Sequence, residues 1–88
     1  MAIDDILWSI RQKVYRKLGD TRATEAALEP LAWYIGTGRA PLDFEQRLKA
    51  CTERQLSTVA GRLIKYSGGD YQCAINSVCQ YIGFERCA

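Results

Sequence analysis

The sequence predicts an all-α fold, a single small domain over residues 1–88 with four to five short amphipathic helices around one core. Two observations carry that expectation. Apolar residues recur at helical spacing along nearly the whole chain, and no stretch alternates as a half-buried strand must. Helix-ending and helix-starting residues break the pattern at intervals: Gly19-Asp20, Gly36-Thr37-Gly38, Thr52 and Ser67-Gly68-Gly69-Asp70.

The first helix is expected from Ile3 to Leu18. Ile3, Ile6, Leu7, Ile10, Val14 and Leu18 fall within an arc of roughly 120° at 100° per residue. Trp8 and Tyr15 sit together beyond one edge of that arc. Asp4 and Asp5 in the first turn, with Arg16 and Lys17 in the last, complement the helix dipole. Gly19 is a natural terminator.

Asp20 or Thr21 can cap a second helix by accepting a first-turn N–H. Its stripe is Ala27, Leu28, Leu31, Ala32 and Ile35, with Trp33 and Tyr34 to the sides. Pro30 removes one donor and crowds the carbonyl of Ala26, so a kink or restart is expected near Glu29. Pro41 suits the first position of a third helix, and Asp43 with Gln46 offers a later start. Phe44, Leu48 and Cys51 share its inner face.

Thr52 with Gln55 reads as a capping box opening the fourth helix, whose buried face is Leu56, Val59, Ala60, Leu63 and Ile64. Gly61 in its interior costs about 1 kcal/mol against alanine unless another helix packs closely there. Asp70 caps the fifth, with Ala74, Ile75, Val78, Cys79 and Ile82 inward. Gly83 suits the left-handed C′ position, with Phe84 folding back. The core expected from these stripes comprises Ile6, Leu7, Ile10, Val14, Leu28, Leu31, Ile35, Leu48, Leu56, Val59, Leu63, Ile75, Val78 and Ile82.

Catalysis has little to stand on. The chain has 88 residues and no histidine, and its four cysteines lack a C-x-x-C pair. Cys73 and Cys79 are separated by about 240° around a helix and cannot share a metal. A cysteine nucleophile wants a neighbouring base, and none is in evidence. Gly36-Thr37-Gly38-Arg39 follows a helix and lacks the length and lysine of a phosphate loop. The expectation is a non-enzyme with no metal and no cofactor. Two acids, Asp4 and Asp5, stand near the N-terminus where a secretory signal would want basic residues, and no window approaches the ~20 apolar residues of a membrane span. A soluble cytoplasmic protein with reduced thiols is expected, without a membrane role.

Function is then sought on the polar faces. Arg54, Thr58, Arg62 and Lys65 line one side of the fourth helix as a basic stripe about 16 Å long at 1.5 Å per residue. The fifth helix presents Gln72, Asn76 and Gln80, flanked by Tyr71, Ser77 and Tyr81, with no charge between Asp70 and Glu85. An uncharged face of amides and tyrosines suits a protein partner or a homodimer contact. The expected partner-binding residues are therefore Arg54, Thr58, Arg62, Lys65, Tyr71, Gln72, Asn76 and Gln80.

The leading expectation is a protein-binding module, a small regulator or inhibitor acting by occlusion or bridging. A phage- or plasmid-encoded protein that blocks a host nucleic-acid machine is one such class. The alternative is a small DNA-binding regulator that uses residues 53–66 and 71–83 as a helix-turn-helix-like unit. Amides of the second helix would then read adenine edges in the major groove. The net charge of +2 does not by itself announce nucleic-acid binding.

Overall fold

A computed structural model describes residues 3–83. Five α-helices follow one another: α1 (Ile3–Leu18), α2 (Thr21–Gly36), α3 (Leu42–Lys49), α4 (Glu53–Lys65) and α5 (Tyr71–Ile82). No strand occurs among the described residues. The radius of gyration is 11.6 Å, against ~12 Å expected for a compact globule of this length.

The helix boundaries follow the capping chemistry in the sequence. Gly19 takes a left-handed φ of 67°, and its N–H reaches the carbonyl of Tyr15 at 2.7 Å. Asp20 caps α2 by accepting from the N–H of Arg22 at 3.1 Å. At α4 both arms of the capping box are present. The Gln55 N–H donates to Thr52 Oγ1 at 3.2 Å, and the Thr52 N–H donates to Gln55 Oε1 at 2.8 Å. Asp70 accepts from the Gln72 N–H at 2.9 Å, and Gly83 closes α5 with a φ of 102°. Phe84 and Cys87 lie outside the described residues.

Two boundaries differ from expectation. α2 runs unbroken through Pro30. The ring is buried, so apolar contact accompanies the lost hydrogen bond and no restart occurs near Glu29. α3 begins at Leu42, with Pro41 as its N-cap and no side-chain cap. The Asp43–Gln46 box is therefore not the start.

α1 packs most extensively on α4 and lays another flank along α2, while α5 packs against α2 and α4. Between them sit Ile6, Ile10, Val14, Leu28, Leu31, Leu48, Leu56, Val59, Leu63, Ile75 and Val78, all buried as expected. Leu7, Ile35 and Ile82 are only partly buried at the margin.

The interior also takes residues that the stripes do not mark. Tyr34 is fully buried, edge-on to Phe44 with ring centroids 5.1 Å apart. Its hydroxyl has no hydrogen-bond partner. Burial raises the pKa of that phenol. Thr24 is buried and donates from Oγ1 to the carbonyl of Asp20 at 2.7 Å.

Cysteine chemistry departs from the expectation of four reduced thiols. Cys79 is buried and disulfide-bonded. Cys51 and Cys73 are free thiols, the first half-buried and the second exposed. Disulfides persist mainly in oxidising compartments, so the reduced thiols expected of a cytoplasmic chain do not hold for Cys79. No helix among the described residues is long and apolar enough to cross a membrane.

Candidate functional site

The expected polar face of α4 and α5 is engaged within the chain at some positions and open to solvent at others. Arg62 turns toward α5, where its Nη1 donates to the Ser77 carbonyl at 3.2 Å and to Ser77 Oγ at 3.1 Å. Its guanidinium also lies 5.2 Å from the centre of the Tyr81 ring. Ser77 is consequently buried rather than flanking an exposed face. Thr58 is half-buried and donates from Oγ1 to the carbonyl of Arg54 at 3.3 Å. Arg54 and Lys65 remain exposed, Lys65 with its ammonium 5.7 Å from the Tyr66 ring.

On α5, the Gln72 amide donates to Asn76 Oδ1 at 3.0 Å. Tyr71 packs edge-on against Trp33, with centroids 5.7 Å apart, and Arg39 stacks over the same indole at 5.0 Å. A hydrogen bond to the Glu29 carboxylate, with burial and its negative charge adding, raises the Tyr71 pKa. Asn76 and Gln80 are exposed. The eight expected residues therefore split. Arg54, Lys65, Asn76 and Gln80 face solvent, Thr58 and Gln72 are half-buried and bond within their own helices, and Arg62 and Tyr71 join neighbouring elements together.

A pronounced groove lies elsewhere among the described residues, along the seam of α1 and α2. A groove of about 430 Å³ is lined by Asp4, Leu7, Trp8 and Arg11 from α1 and by Glu25, Leu28, Glu29 and Ala32 from α2. Its position follows from chain geometry. Two 16-residue helices are joined by only Gly19 and Asp20, so they return antiparallel along one another. Trp8 lies outside the α1 core arc and meets the flank of α2 that carries Ala32, which is exposed.

Arg11 pairs with Glu25 across the seam. Toward the connecting turn a second depression of about 250 Å³ follows, lined by Trp8, Arg11, Gln12, Tyr15, Thr21 and Thr24. Trp8 is 60% exposed and Tyr15 46%. Large aromatics are commonly buried or placed at interfaces, where they supply much of the contact energy.

Reading the helices one at a time marks Trp8 and Tyr15 as off the core arc without giving them a role. The missing information is the pairing of α1 with α2, which turns an isolated aromatic into the wall of a groove. One signal does exist. The stripe Ala27, Leu28, Leu31, Ala32 and Ile35 runs past the buried face of α2 on one side, where the exposed Ala32 lies in the groove.

Among the described residues, no three His, Cys, Asp or Glu side chains gather as metal ligands. Comparison with protein families, with curated proteins and with solved structures returns no match.

Proposed function

We propose that this chain is a non-enzymatic protein-binding module, a small regulator or inhibitor that acts by occlusion or bridging, and that it docks its partner in the α1–α2 groove. The supporting observation is Trp8, mostly exposed at the mouth of a 430 Å³ apolar-floored groove, with Tyr15 two helical turns further along the same seam. Interface cores are enriched in tryptophan and tyrosine, and a few such anchors carry most of the binding energy. A helix pair with a short connection offers that anchor on a rigid support, so little ordering cost opposes binding.

The exposed residues Asn76 and Gln80 on α5 provide a second uncharged surface, which suits bridging. DNA binding through residues 53–66 and 71–83 draws less support. Arg62 and Tyr71, which lie on those two helices, are engaged within the chain.

Site-specific photocrosslinking in the native cell tests the proposal. A benzoylphenylalanine at position 8 or 15 is expected to give a discrete protein adduct, and one at position 54 is not. Adducts arising only from position 54, or none from positions 8 and 15, overturn the assignment of the groove.

A further inference from the structure

We infer that the α1–α2 groove takes a basic amphipathic helix of a partner protein, with apolar anchors in its two depressions and cationic side chains on its rim. This rests on the proposed docking role and adds the chemistry of the occupant. Charge complementarity is the first argument. Three carboxylates and one guanidinium border the larger depression, on a chain whose overall charge is +2. The guanidinium of Arg11 is already paired with Glu25. Asp4 and Glu29 therefore set the sign of the rim. A lysine or arginine brought there would be attracted and an acid repelled, and the Trp8 face can hold a cation as well.

Spacing is the second argument. Trp8 and Arg11 wall both depressions, and Tyr15 lies seven residues beyond Trp8 on the same helix. That separation is about 10.5 Å along the axis, the distance between residues i and i+7 of an incoming helix. A helix lying along the seam would set one anchor over Leu7 and Leu28 and the next beside Tyr15, the arrangement by which amphipathic helices fill apolar grooves.

The probes are two 16-residue peptides with leucines at i, i+3, i+4, i+7 and i+11. One carries lysine and the other glutamate at the remaining positions. Titration into the isotope-labelled protein, followed by amide NMR, gives affinity and location together. The lysine peptide is expected to bind at least tenfold more tightly and to shift amides of α1 and α2. Raising the salt should erode that preference. The double variant Asp4→Lys, Glu29→Lys should reverse the order of the peptides. The milder Asp4→Asn, Glu29→Gln should remove the preference if the reversal variant folds poorly.

Equal affinities, or lysine-peptide shifts confined to α4 and α5, overturn the inference. So does sedimentation showing a dimer that covers the groove, since the occupant is then a second copy. A glutamate peptide that wins within the groove refutes the cationic occupant but leaves the docking role standing. A crosslink from position 8 with neither peptide bound does the same.

Discussion

Replacing Gly61 by alanine gives a sharp check on how α1 meets α4. Gly61 lies in the interior of α4 and has an ordinary negative φ. A methyl group there would find only the Lys17 ammonium nearby, at 3.6 Å. That is ordinary contact with the far end of a flexible side chain, so nothing in the backbone need shift. The helix would lose the conformational penalty of glycine, about 0.5–1 kcal/mol. For a domain of this size, 1 kcal/mol moves Tm by roughly 4–8 °C. Gly61→Ala is therefore expected to melt about 2–8 °C higher by circular dichroism at 222 nm. In urea the midpoint should rise with the slope unchanged, as it does when stability alone changes. A melting temperature equal to or below that of the parent would mean that α1 approaches α4 too closely for a methyl group, and would refute the packing described here.

Other substitutions probe the interior and the face of α4. Leu63 is fully buried, so Leu63→Asp places a carboxylate without a partner in the core and should cost on the order of 4 kcal/mol or more; a helical spectrum and melt like the parent's would contradict it. Tyr34→Phe removes a buried hydroxyl that lacks a partner and should stabilise the fold by about 1 kcal/mol, read by urea titration. Burial raises the Tyr34 pKa above its unfolded value of about 10. Its contribution is thus whole below pH ~10 and lost as pH rises through the folded pKa, and the phenylalanine variant should show a shallower alkaline decline. Arg62→Ala should lower stability by about 1–2 kcal/mol through its lost contacts with Ser77 and Tyr81, while Arg54→Ala leaves the melt unchanged. Cys73 should react with maleimide before Cys51, because Cys51 is half-buried, donates to the Arg47 carbonyl at 3.3 Å, and has a pKa raised by burial; peptide mass mapping reads the order.

Much of the fold is legible in the sequence because its signals are local. A capping box needs only Thr52 and Gln55, and an αL terminator needs only Gly19 or Gly83. Helical periodicity then assigns Ile10, Val14, Leu63 and Val78 to the inside without knowledge of any neighbour. What escapes is set by pairs of helices. Tyr34 looks like a flank residue until Phe44 of α3 closes over it. Ser77 looks exposed until Arg62 reaches it from α4. Ala32 lies on the apolar stripe of α2, yet it is exposed and borders the groove with Trp8. The expected site on α4 and α5 rests on charge, composition and helical spacing, and these do not say whether a side chain serves its own fold or another molecule.

The two-residue link at Gly19 and Asp20 has a kinetic consequence. A tether that short keeps α1 beside α2, so the docking proposed for their seam would need no slow opening step. Association should then proceed in a single phase that scales linearly with ligand concentration, at rates near the ordinary 10⁵–10⁷ M⁻¹s⁻¹ (order of magnitude) for pre-shaped surfaces. Differences between ligands would appear mainly in how long they stay.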